Sequence, residues 1–158
     1  RYAPINEFGE RTDTYSSLSR VNRHFLQGIA PVMNQLQFKQ AYNLAMNYAW
    51  AGFPTLDPAW RVQAVNSDCP MIISEFRHPD GHDYVALTNL SRTQNAHPTF
   101  AVAGKTPELR VVDTGGGEIS VEDGATGARV RSRGSDHIAV HQFFAPGQLY
   151  LFKVVDRA

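Results

Sequence analysis

The spacing of hydrophobic residues changes period about a third of the way along this chain. Between Thr12 and Ile29, Tyr15, Leu18, Val21, Phe25, Leu26 and Ile29 recur every three or four residues. Asn22 lies on the same stripe, and Arg20, Arg23 and Gln27 fall between. That period predicts an amphipathic helix. Thr12 or Asp13 is its expected N-cap, because either side chain can accept a hydrogen bond from a first-turn N–H. Pro31 cannot donate to a helical ladder, so a kink or fresh start is expected there, with Val32, Met33 and Leu36 extending the stripe.

Gln37 to Trp60 carries mixed signals. Phe38, Ala41, Tyr42, Ala45 and Ala49 are compatible with a second helix, but Gly52-Phe53-Pro54 and Asp57-Pro58 interrupt it and read as a linker. Beyond that point the pattern belongs to strands. In Met71 to Leu90, two apolar-rich runs flank Arg77-His78-Pro79-Asp80-Gly81-His82, a hairpin signal: Pro79 presets φ, Asp80 can bond its own backbone, and Gly81 tolerates positive φ.

Alternation then predicts Leu109 and Val111 inward around Arg110, Ile119 and Val121 inward around Ser120, Val130 inward between Arg129 and Arg131, and Ile138 with Val140 inward. Leu149 to Val155 is apolar on both faces, as a central, fully covered strand would be. Expected strands are 62–65, 71–77, 83–90, 97–102, 108–112, 117–122, 128–132, 137–143 and 148–155. Short strands at this spacing indicate a β-sandwich rather than an α/β fold.

Composition narrows the function classes. The chain has 158 residues, enough for one substantial core with a helical appendage. Fifteen basic residues balance fifteen acidic ones. This removes the electrostatic case for nucleic acid or an anionic membrane as a main partner. No apolar run approaches the roughly 20 residues needed to span a bilayer. Cys69, the only cysteine, precludes an intrachain disulfide and reads as a structural thiol, leaving the compartment open. Arg1 is neither a Met nor part of a signal-peptide pattern, so the chain is expected to be processed or cut from a longer one.

No group of residues assembles a reaction centre by spacing alone. His137 and His141 would share one strand face about 13 Å apart, too far for one metal ion. His78 and His82 flank the hairpin turn without a carboxylate or cysteine that clearly completes a site, so neither metal nor cofactor is expected. Arg129, Arg131 and Arg133 read as a solvated strand face near Glu118, Glu122 and Asp123. Asp113-Thr114-Gly115-Gly116-Gly117 lacks the Lys-Ser/Thr and following helix of a phosphate cradle and reads as a hairpin loop. Glu7, Glu10 and Asp13 fit charges at a helix start better than a catalytic pair. Trp50 and Trp60, with Phe53 between them, would stack on sugar rings if exposed or pack the junction if buried, and packing is the expected role.

Three segments carry a family resemblance. Asn6-Glu7-Phe8-Gly9-Glu10-Arg11-Thr12-Asp13-Thr14-Tyr15, followed by Leu18, Val21 and Asn22, resembles the last loop and closing helix of a glycoside hydrolase (β/α)8 barrel. Val65-Asn66-Ser67, Ile72 to Phe76 and Tyr84 to Leu90 resemble the first hairpin of the β-sandwich that follows such barrels. Ala145 to Phe152 resembles that sandwich's closing strand. The resemblance implies residues 1–45 as a helical segment from the barrel end, 46–60 as a linker, and 61–158 as an immunoglobulin-like antiparallel β-sandwich of eight or nine strands.

In that family the catalytic carboxylates lie on barrel strands that would precede Arg1, so none maps onto this chain. The implied function is a non-catalytic, structural or interface portion of a glycoside hydrolase, with the upstream barrel as partner. The alternatives are a carbohydrate-binding module using Trp50 and Trp60 and a free-standing hydrolase with its own carboxylate pair. A helix made to cover a barrel would be stranded here. It is expected to fold back on the sandwich, fray, or, the favoured outcome, pair with a second copy in a homodimer.

Overall fold

The computed structural model describes residues 3–44, 60–105, 107–124, 126–127 and 137–156. Helix α1 covers Asp13–His24, a π-helical turn follows at Phe25–Ile29, and α2 covers Ala30–Met33. Thr12 is the N-cap residue, with extended backbone, but its hydroxyl donates to the Ala3 carbonyl (2.8 Å) instead of accepting from the first turn. The disturbance expected at Pro31 takes the form of the wide turn before it. The ring would press on the Gln27 carbonyl, and the ladder shifts so that the Ala30 N–H bonds Phe25 O, five residues back.

Nine described strands follow: β1 Gln37–Leu44, β2 Val62–Asn66, β3 Met71–Arg77, β4 Asp83–Asn89, β5 Thr99–Ala103, β6 Glu108–Val112, β7 Glu118–Ser120, β8 His137–His141 and β9 Leu149–Val155. They form a six-stranded sheet ordered β1-β3-β4-β9-β6-β7 and a three-stranded sheet ordered β2-β5-β8, with every pairing antiparallel. The result is a β-sandwich with the two-sheet architecture of immunoglobulin-like domains and its own strand order. Ile73, Val85, Leu87, Phe100, Val102, Leu109, Val140, Phe144 and Phe152 fill the space between the sheets.

The expected second helix is replaced by a strand. Residues 37–44 form β1, which pairs with β3 from Gln37↔Arg77 to Leu44↔Met71. Apolar residues at 38, 41 and 42 fit either period, and the free edge of β3 selects the extended form by offering a ladder of partners. The helical region therefore stops at Met33, short of the expected residue 45. Residues 45–59, with most of the expected linker, and the expected strand 128–132 lie outside the described residues. The other expected strands are present, and β9 is central, between β4 and β6. Ile119, expected inward, is 52% exposed because β7 is the sheet edge.

A third layer covers part of the six-stranded sheet. Ile29, Val32, Met33 and Leu36 pack over Tyr84, Ala86, Val112 and Leu151. This explains why β4 is buried on both faces: Val85 and Leu87 point into the sandwich, Tyr84 and Ala86 toward the helix. Gly28 is the contact that lets this happen. It is buried against the Asp113–Thr114 backbone, where any side chain would collide. Part of the helical segment thus folds back on the sandwich. In α1 itself no residue is buried, and Leu18 and Val21, with Phe25 and Leu26 of the π-helical turn, remain 44–65% exposed.

Candidate functional site

A dense polar cluster closes one end of the sandwich. Asp83 opens β4 opposite Arg77, the last residue of β3. It is fully buried, and its carboxylate accepts from Arg77 Nε and, at 3.0 Å, from Arg77 Nη2. Arg61, just before β2, approaches from the other sheet. Its Nε donates to Asp83 (2.6 Å), Nη2 to Asp156 just after β9 (2.7 Å), and Nη1 to the Ala103 carbonyl of β5 (3.1 Å). Burial alone lowers the Arg61 pKa, but the hydrogen bonds it donates to Asp156 and Asp83 and the charges of those carboxylates outweigh it and hold it above its ordinary value. Gly104 leaves room for this arrangement, since a Cβ there would sit 2.3 Å from Asp156 Oδ1.

Beside the clasp lies a second buried acid. Glu75, on the inner face of β3, accepts from the Val62 backbone N–H (2.7 Å) and from the Gln40 amide. A buried carboxylate needs such donors to remain tolerable in an apolar core. One acid joins the sheets through Arg61, and the other joins them through the backbone of β2.

Trp60, expected to pack the junction or stack on sugar, is half-buried at this corner. Arg77 lies over its ring at 5.8 Å from guanidinium carbon to centroid. Trp60, Arg61, Arg77, Asp83, Ala103 and Gly104 line a shallow open cavity. Trp50 and Phe53 lie outside the described residues, as do Arg129, Arg131 and Arg133.

The other candidates separate. The His78 and His82 rings are not paired: the His78 ring contacts Asp80 (2.9 Å) and Gln35 (3.2 Å), linking the hairpin to the end of the helical segment. His141 on β8 meets His97, with ring centroids 6.3 Å apart and near-parallel planes, and His97 meets Phe143 edge-on. Spacing could not reveal that pair, because it depends on how the chain before β5 lies against β8. Among the described residues no three His, Cys, Asp or Glu side chains are grouped to hold a metal ion. Asp113 to Gly117 is a hairpin turn joining β6 to β7, with Asp113 Oδ1 accepting from the Gly115 and Gly117 N–H groups at 2.8 Å each. Glu10 is held by Asn6 at the chain's start, its Oε2 accepting from Asn6 Nδ2 (2.8 Å).

Chemically, the clasp offers charged and aromatic surface for binding. Asp83 and Asp156 approach the same guanidinium, which occupies both, so neither is set up as the free member of an acid/base pair. No family model, curated protein or solved structure matches this chain. The likeness to glycoside hydrolases rests on the motifs quoted above.

Proposed function

We propose that this chain is a non-catalytic accessory β-sandwich of a glycoside-hydrolase-like protein, attached to a neighbouring catalytic domain through α1. The observation that carries this reading is the divided helical segment. Residues 28–36 are fixed on the sheet, while Leu18, Val21, Phe25 and Leu26 point an apolar stripe away from it. Exposed apolar stripes of this kind mark interaction surfaces. A rigidly docked helix end would hold that stripe in a defined place relative to the sandwich, as an interface role requires. The quoted motifs suggest a barrel as the covering surface.

A second copy of the chain is the competing occupant, resting on the same exposure. The test joins the chain to its upstream coding sequence and compares Leu18→Glu/Phe25→Lys in the long and short forms. The expected outcome is a lower melting temperature and lost glycosidase activity in the long form only, with the short form monomeric and inactive on aryl glycosides. Turnover by the short chain, surviving repurification, would overturn the non-catalytic reading. A short form that sediments as a dimer and becomes monomeric on Leu18→Glu would assign the stripe to self-association.

A further inference from the structure

The cavity at the Arg61–Asp83 clasp has features that clamping two sheets together does not require. Arg77 spends Nε and Nη2 on Asp83, and Nη1 makes no hydrogen bond among the described residues. The Trp60 indole N–H likewise has no partner among the described residues, although the Trp60 carbonyl accepts from Gln63 Nε2. Trp60 and Arg77, each with a spare donor, therefore both line one open concavity. Gly104 contributes no side chain to fill it.

Local charge decides what such a surface accepts. Arg61 and Arg77 are balanced by Asp83 and Asp156, so the corner has no excess positive charge to draw an anion. Asp156, partly exposed and with its carboxylate close to Gly104 of the lining, keeps lone pairs beyond those facing Arg61 and can accept from a hydroxyl. An indole face, two free donors and a carboxylate acceptor suit a ring that is apolar on one side and hydroxylated at its edge.

We infer that the Trp60–Arg77 cavity is a subsite for a neutral saccharide ring, with the sugar's apolar face on the indole and its hydroxyls on Arg77 Nη1 and Asp156. The site stands apart from α1 and does not depend on what covers that helix. One aromatic platform with few hydrogen bonds gives weak affinity, a Kd on the order of 1 mM. Its use would be to hold a polymeric substrate near a neighbouring domain by adding to that domain's own binding.

The test is an NMR titration that follows the backbone amide signals and the two indole N–H signals, the latter assigned with Trp50→Phe; the amides report binding in the Trp60 variants. Probes are maltotriose, cellotriose, xylotriose and galactose, with galacturonate as the anionic comparison. The expected result is a saturating shift of the Trp60 signal with at least one neutral sugar. Affinity should fall about fivefold or more in Arg77→Gln, vanish in Trp60→Ala, and stay unchanged in Trp50→Phe. A dispersed spectrum shows that each variant is folded, and Trp60→Phe replaces Trp60→Ala if the latter is not. No shift with any neutral probe, a shift indifferent to Arg77→Gln and to the Trp60 variant, or saturation by galacturonate alone would each overturn the inference.

Discussion

Gly28 lies so close to Asp113 that a Cβ on it would sit 2.6 Å from the Asp113 carbonyl oxygen. The opposing atoms are backbone of the β6–β7 turn, which is itself fixed by the hydrogen bonds that the Gly115 and Gly117 N–H groups donate to Asp113 Oδ1. Neither side can yield cheaply. Gly28→Ala is therefore expected to destabilise the chain by about 1–3 kcal/mol and to loosen the helical segment, although alanine is the better helix former. Urea unfolding of the variant checks the energy, and hydrogen exchange over 29–36 checks the undocking.

Truncations should separate the two parts of that segment. Removing residues 1–24 deletes no buried side chain among the described residues and should leave the unfolding midpoint nearly unchanged. Extending the deletion to residue 36 strips the cover from Tyr84, Ala86, Val112 and Leu151, costing roughly 3 kcal/mol or more. Thermal melts of the two proteins should differ clearly, and equal melts would mean that the helix layer adds nothing.

The clasp should respond unequally at its two arginines. Asp83→Ala removes a fully buried acceptor from both and is expected to cost about 3 kcal/mol, with Arg61 keeping Asp156. Arg77, whose side chain is 41% exposed, can be rehydrated when its partner is lost. Most of the loss should therefore come from Arg61, and in a double-mutant cycle the Asp83–Arg61 coupling should exceed the Asp83–Arg77 coupling.

Stability should fall at both ends of the pH scale through Glu118 and Lys153, which are 2.8 Å apart. Burial raises the Glu118 pKa, but the hydrogen bond and charge of Lys153, then those of Arg110, outweigh it and bring it below its ordinary 4.5. A depressed carboxylate stabilises the fold above its unfolded pKa and loses that contribution as pH falls through the folded value. Burial lowers Lys153, but Glu118 and nearby groups outweigh it and hold it above 10.5, so its contribution is lost as pH rises beyond that point. Chemical denaturation from pH 3 to 11 should show a neutral plateau. Glu118→Gln should flatten the acid limb below about 4.5 and remove Lys153's share of the alkaline limb.

The hairpin at 78–82 shows how much local chemistry could be read directly. Its turn needs a residue at positive φ and a side chain that closes on its own backbone. Gly81 adopts φ 91° and Asp80 Oδ1 accepts from the His82 N–H, as their residue types required. The binding corner was legible only in part. Trp60 stood out as a large aromatic at a junction, but Arg61, Arg77, Asp83 and Asp156 are scattered through the sequence and meet only once β3, β4 and β9 are paired and the sheet of β2 packs against them.

What the sequence determined by itself was local: the helix from Asp13, the turns at glycine and aspartate, the alternation of most strands, and the two-faced apolar character of β9. These follow from backbone sterics and from a period that each segment carries alone. Tertiary structure decided the rest. Residues 37–44 became a strand because β3 had an open edge, and the helical segment docked at Gly28 because the Asp113 turn lay beneath it. It also left α1's apolar stripe bare and drew two arginines onto one buried aspartate. Each of those outcomes depends on a partner distant in sequence, whose position no local period encodes.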